Sequence, residues 1–315
     1  MMRQASVNLY DTSGNLYTLV DPLQFVFRKE KYTPYTELSI TLADPERLVP
    51  VQAVINRIQL VAERTLIHDG LIDSAVLSRE NGVTLITIRS KGFTSLLLNN
   101  EMTPGVHAAM SLDKLMTAYY DFPGQIQWQS DTDDSNYIYV KSHSTMWDSV
   151  VNLGYKLYRS YPYIRYTNLI CLKAHDNAKT YVFPEGEVLS AGARTVGSRL
   201  LSHLHMADAE GNYDTYALEN SDAVDMHIVR HKQLAFDRQY LHDPVQALNL
   251  KFALSAQGWR SYFVTCNGYQ PLDLNDYAGA EGVFAPGRIS AVTVTGSSSG
   301  ISTTYTVYQD AFSDA

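Results

Sequence analysis

The chain has 315 residues, 45% hydrophobic and 18% charged, which allows two or three domains with cores of their own and excludes wholesale disorder. Its charge of −8, from 25 basic and 33 acidic residues with no basic cluster, lacks the electrostatic footprint of a nucleic-acid binder, so no specific nucleic-acid recognition is expected. No apolar run approaches the roughly 18–20 residues that cross a bilayer, and the Met1-to-Asn8 start has no apolar signal core, so cytoplasmic synthesis without membrane insertion is expected.

In chain order, residues 16–20, 23–27, 36–42, 57–62 and 75–78 read as strands. The clearest is 83–90, where Val83, Leu85, Thr87 and Arg89 alternate with Thr84, Ile86 and Ile88. Asn81-Gly82 before it supplies the positive φ angles of a tight hairpin. Asp44-Pro45-Glu46-Arg47-Leu48 predicts a short helical crossover, with proline in the first turn. From Ile67 to Asn100 the pattern is a strand, a glycine reversal after His68-Asp69, the hairpin, and the segment Gly92-Phe93-Thr94-Ser95-Leu96-Leu97-Leu98. It predicts a small closed β-structure.

Beyond Asn100 the character changes. Ser111 can cap a helix to about Tyr120 with Leu112, Leu115, Met116 and Tyr119 on one face. A polar loop over 130–136 leads to a strand at 137–140. Thr145 and Asp148 make a capping box for a helix burying Trp147, Val150, Val151, Gly154 and Tyr158. A hairpin around Thr167-Asn168 closes this α+β unit. Strands resume near Thr180, with 200–206 and 213–218 flanking a turn at 208–212, while the glycines of 186–197 read as a loop. Asp243 as N-cap, Pro244, Val245, Leu248 and Phe252, with Gly258 beyond, mark a third helix. Strands at 260–265, 287–295 and 301–308 follow, the last two forming a hairpin with a loose tip at Gly296–Gly300, and the terminal residues 310–315 are expected to fray.

Candidate chemistry is sparse. His203 and His205 lie two apart on a strand, as zinc ligands can, and His227 and His231 could add ligands, but no H-E-x-x-H or matched carboxylate accompanies them. Asp131, Asp133 and Asp134 resemble half a calcium loop without its glycine or distal glutamate. Glu30, Glu37, Asp69 and Asp73 could be paired on paper as glycosidase acids, with no spacing to support it. Cys171 and Cys266 exclude a disulfide framework by number and read as buried free thiols. There is no G-x-S-x-G, G-x-G-x-x-G or P-loop. The expectation is no enzyme, no catalytic or cofactor-binding residue, no metal site and no cofactor.

The strand-rich first region, its Asp-Gly turn, the Gly-Phe-Thr-Ser-Leu-Leu-Leu segment, the helix Trp147-Asp148-Ser149-Val150-Val151-Asn152-Leu153, the Pro244-led helix and Gly287-Arg288-Ile289-Ser290-Ala291-Val292 entering a final hairpin resemble the tail hub proteins of contractile phages, phage-like bacteriocins and type VI secretion spikes. The resemblance implies an α+β, mainly β fold of two similar β-barrel domains, 1–100 and 177–315, the second carrying an inserted helix near 243–256, around an α+β domain at 101–176. It implies a homotrimeric baseplate hub in a virion or phage-like particle, assembled in the bacterial cytoplasm, that adapts a hexameric tail tube to a trimeric spike. Its partners would be the tail tube protein, a separate spike protein and other baseplate proteins. The net charge suggests an acidic channel lining that does not hold passing DNA. A carbohydrate-binding or adhesion module, suggested by the 22 tyrosines, and a β-rich hydrolase are the alternatives.

Overall fold

A computed structural model describes residues 5–80, 82–130, 133–240, 244–309 and 311–312. The N-terminal region holds β1 (Ala5–Asp11), β2 (Leu16–Val20), β3 (Gln24–Glu30), β4 (Glu37–Asp44), β5 (Ile55–Ala62), β6 (Thr65–Glu80), β7 (Val83–Gly92) and the short α1 (Leu96–Asn99). The middle holds β8 (Gly105–Met110), α2 (Leu112–Thr117), β9 (Gln127–Trp128), β10 (Ser135–Val140), α3 (Met146–Tyr158), β11 (Tyr163–Arg165) and β12 (Leu169–Cys171). There follow β13 (Thr180–Phe183), β14 (Val188–Thr195), β15 (His203–Met206), β16 (Tyr216–Glu219), α4 (Ser221–Asp225), β17 (His231–Leu234), α5 (Pro244–Ser255), β18 (Arg260–Asn267), β19 (Tyr277–Ala280), β20 (Phe284–Ser297) and β21 (Gly300–Tyr308). The class is α+β, mainly β.

The strands form because their side chains alternate. In β1 every second residue is buried, and β21 does the same with Ile301, Thr303, Tyr305 and Val307. Eleven of these strands run in one path, β14-β18-β21-β20-β3-β4-β7-β6-β5-β1-β2, with β13 and β19 attached through β20. No closed barrel is found among the described residues. β3 pairs on one side with β4 and on the other with β20, so the N- and C-terminal regions are stitched into a continuous sheet instead of each closing on itself. The long strand β6 bends where its register with β7 shifts between Ile72 and Ser74. Nearby, Gly70 is required by space: a Cβ there would sit 2.3 Å from the Lys91 carbonyl oxygen.

The buried residues form two clusters. The first unites Val7, Leu9, Phe27, Ile40 and Ile86 with Phe183, Val264, Val294 and Tyr305 from the other end of the chain. In it the Phe183 and Tyr305 rings stack at 5.6 Å. The second joins Leu97 of α1 and Leu115, Trp147, Val150 and Ile170 of the middle to Leu204, Met206, Ala247, Leu248 and Phe312. The inserted helix α5 therefore packs with the middle of the chain.

Two local expectations are corrected. Residues 44–48 form a turn, not a helix: the Asp44 carboxylate accepts the amides of Leu48 and Val49 at 3.0 and 2.8 Å, and Arg47 is left-handed at φ +58°. Much of the glycine-bearing stretch 186–197 is strand β14, where Gly192 leaves room for the Phe263 ring, 3.4 Å from where its Cβ would be. The leucine-rich segment after Gly92 is helical, a single turn over Phe93–Ser95 running into α1. Asn81 of the hairpin, Asp243 of the third helix and most of the terminal residues lie outside the described residues, but Gly82 has the positive φ of +85° that the turn needs.

The capping box on α3 is formed: the Thr145 hydroxyl accepts the Asp148 amide at 3.1 Å, and the Asp148 carboxylate accepts the Thr145 amide at 2.8 Å. Thr145→Ala is expected to cost about 1 kcal/mol, read as a lower urea midpoint at unchanged slope.

Candidate functional site

The main sheet has one face on the first core and one face uncovered. Strict alternation sorts the residues: Phe25, Phe27 and Lys29 of β3 point inward, and Val26, Arg28 and Glu30 point outward. Register then builds rows across the sheet. One runs Lys91, Glu37, Arg28, Thr293, Thr304, Thr265, Ser190, from β7 to β14. The next runs Arg89, Ser39, Val26, Thr295, Ser302, Asn267. The face is thus hydroxyl-rich in its C-terminal half and ionic in its N-terminal half.

Short polar side chains make it smooth. Thr265 and Thr304 hydroxyls meet at 2.9 Å, and Thr295 and Ser302 at 2.8 Å. Two shallow depressions mark it. One of about 560 Å³ is lined by Arg28, Glu37, Asp73, Arg89 and Lys91, and one of about 460 Å³ by Arg28, Glu30, Arg194, Phe263 and Thr304 among others. In the first, Lys91 pairs with Asp73 at 3.1 Å, and this hydrogen bond raises the lysine pKa. In the second, the Tyr308 hydroxyl donates to Glu30 at 2.6 Å.

The sheet also has two open ends. Among the described residues β2 pairs only with β1, and β14 only with β18, leaving each with an unpaired edge. Leu16 and Leu189, each 54% exposed, sit on these edge strands. Such edges are templates for pairing with another chain.

Two solved structures share this architecture over nearly their whole length. The 43 kDa tail protein of prophage MuSo2 from Shewanella oneidensis superimposes with a TM-score of 0.70 at 12% identity, covering 96% of this chain and 98% of that one. A tail protein from Neisseria meningitidis gives 0.71 at 11% identity, covering 98% of both chains. The chain has the fold of phage tail proteins. An E. coli component of the type VI secretion system, described as similar to the T4 tail proteins gp27 and gp5, gives 0.53 at 8% identity, covering 93% of this chain and 74% of that one. No protein-family model and no curated protein sequence matches the chain.

Within this tail-protein fold the residues weighed from sequence fall as follows. Asp69 is held by Arg57 through two bonds of 2.8 and 2.7 Å, while Glu30, Glu37 and Asp73 belong to the uncovered face. Cys171 and Cys266 are buried free thiols, each pushed up to about 11 by burial. Asp131 lies outside the described residues, Asp133 accepts from the Tyr158 hydroxyl, and Asp134 pairs with Lys114 at 3.0 Å. His203, His205 and His231 are brought together on the small sheet β16-β15-β17, and His227 lies after α4 at φ +56°. Among the described residues no group of three or more His, Cys, Asp or Glu side chains could hold a metal ion.

The sequence reading missed the Ser/Thr rows. Their signal was present in the alternation Thr293-Val294-Thr295, but which face stayed uncovered depended on strand order.

Proposed function

We propose that the chain is a structural hub protein of a phage-type tail or baseplate, with no catalytic role. The observation that carries this is the near-complete superposition on two tail proteins, each covered over 98% of its length. In this reading, 1–100 and 177–315 supply two β-modules, the counterparts of the expected barrels, joined through β3 and β20. Residues 101–176 form the unit packed beside them.

Three copies would present six such modules, a sixfold ring for a tail tube and a threefold seat for a separate spike. Other baseplate proteins would bind around the ring, and the particle would be assembled in the bacterial cytoplasm. The two free edges support it, because joining two different edges head to tail generates a closed ring when the rotation closes. The uncovered face would line the channel: hydroxyls stay hydrated and give a passing polymer no apolar patch to adhere to. On this reading the lining carries Arg28, Arg89, Lys91 and Arg194 against Glu30, Glu37 and Asp73, so the acidic lining expected from the net charge is dropped.

The test is negative-stain imaging and mass-resolved chromatography of the chain coexpressed with the tube protein of its own particle. Rings of three copies are expected. A purely monomeric or twofold species in the presence of the tube protein overturns the reading. Placing lysines at both edges, Leu16→Lys with Leu189→Lys, is expected to lower the ring fraction about tenfold or more with unchanged circular dichroism.

A further inference from the structure

One cation of the described residues has no acid to meet it. Arg165 closes β11, and its Nε is buried with no hydrogen-bond partner. Among the described residues no carboxylate pairs with the guanidinium, whose Cζ sits over the Tyr166 ring at 4.8 Å from the centroid. A buried donor left unmatched is costly, and a ring beneath it offsets only part of that.

Arg165 lines a cavity of about 140 Å³ where β3, the start of β6, the turn after β11 and the loop between β18 and β19 meet. Phe27, Ile67, Leu272 and Val292 make its apolar walls. Its charged lining is Lys29, Arg165 and Lys179 against Asp273 and Asp276, three cations to two carboxylates. Both carboxylates are already engaged. Asp273 accepts the Lys29 ammonium and the amides of Tyr166 and Leu274, and Asp276 accepts the amides of Lys179 and Asp273. His175 beside them brings no charge near neutral pH, because burial lowers its pKa and Arg165 lowers it further. Tyr269 adds a donor: burial raises its hydroxyl pKa, and Asp273 and Asp276 add to the shift. The cavity therefore lacks one negative charge and one acceptor.

We propose that this cavity is a binding site for a single carboxylate group, held by Arg165 and Tyr269 with its short aliphatic stem against the apolar walls. The planar fork of a guanidinium matches the two oxygens of a carboxylate. A surplus of one positive charge suits a monoanion, while the two fixed carboxylates repel a phosphate dianion. At about 30 Å³ for each water-sized group, the volume holds roughly five heavy atoms. Propionate has that size, as does a glutamate side chain beyond its Cα. Tyr166 and Leu66, 59% and 40% exposed, give the cavity an outward side. Two sources therefore share this chemistry: a small free acid, and an acidic side chain presented by a neighbouring chain.

The test is nitrogen–proton NMR of the Arg165 Nε–H signal, assigned by its loss in Arg165→Lys. Sodium propionate is titrated into the full chain at constant ionic strength and about pH 7, where the acid is ionised, with propionamide as the uncharged control. Saturable movement of the signal in the millimolar range is expected with propionate and none with propionamide. Arg165→Gln is expected to weaken propionate binding, read from backbone amide signals, at least about tenfold, and Tyr269→Phe about two- to tenfold. Lys114→Gln, whose lysine pairs with Asp134 outside the cavity, is expected to leave it unchanged. Circular dichroism of each variant shows whether the fold is retained. N-acetylglutamate N-methylamide separates the two sources. Binding at least as tight as that of propionate assigns the site to a protein side chain, and weaker binding or exclusion assigns it to a free acid. No saturable shift with either acid, an equal shift with propionamide, or binding that survives Arg165→Gln overturns the proposal, and water then satisfies Arg165.

Discussion

Asp273→Ala is expected to destabilise the protein by about 3–5 kcal/mol, because it strands a buried ammonium group. The Lys29 side chain is 4% exposed and points into the first core, where its Nζ meets Asp273 Oδ1 at 2.5 Å and the Tyr166 carbonyl at 2.6 Å. Burial pushes the lysine pKa down, and Asp273 opposes that shift as its chief favourable partner. The same carboxylate accepts the Tyr166 amide at 2.6 Å, and Asp276 beside it accepts the amides of Lys179 and Asp273. The 273–276 turn thus ties β3, the β11–β12 turn and the approach to β13 into one joint. Removing both charges together, as Lys29→Met with Asp273→Leu, is expected to recover most of the loss, since desolvation offsets much of a buried pair's attraction. Urea unfolding measures all three proteins. A single-variant loss under about 0.5 kcal/mol would show that the ammonium finds water or another acceptor.

The second large effect is on acid stability. His68 is fully buried in β6, its Nδ1 2.8 Å from the Thr36 hydroxyl and its Nε2 2.8 Å from the Ser90 hydroxyl. Burial lowers its pKa from 6.5 to about 3, with Asp69 pulling weakly the other way. The sign follows directly. Below pH 6.5 the unfolded chain takes up a proton that the folded chain refuses until about pH 3, so the unfolded state binds more protons and stability falls with pH across that window.

Between pH 7.5 and 4.5 this group alone is expected to remove about 2–3 kcal/mol. His68→Gln, which keeps a hydrogen-bonding side chain but does not titrate, should lose that much less over the same interval. Parallel pH profiles for the two proteins would mean that His68 is protonated inside the fold.

Much of the local structure was legible. Thr145 and Asp148 marked the start of α3 because a capping box is a bond between residues three apart, complete within one turn. The hairpin of β20 and β21 was legible because alternation has period two and its turn is a Gly-Ser stretch. The two misread segments failed for different reasons, one local and one distant. Asp44 looked like a helix start, but its carboxylate was captured by the amides that follow it. The glycines near Gly192 looked like a loop because the Phe263 ring that they accommodate lies about seventy residues away along the chain. The histidine cluster was half visible. His203, His205, His227 and His231 stood out as residues, while strand pairing decided that His231 and Glu219 flank His203.

From the amino-acid order alone came the mainly β character, the faces of individual strands, the helix starts and the resemblance to tail hubs. All of these rest on interactions within a few residues. Tertiary structure decided that β3 pairs with β20, that Lys29 meets Asp273 across 244 positions, which sheet face stays bare and which edges remain open. Those outcomes depend on which long loops close and which partner reaches a strand's free side, and neither leaves a mark in the local pattern of side chains.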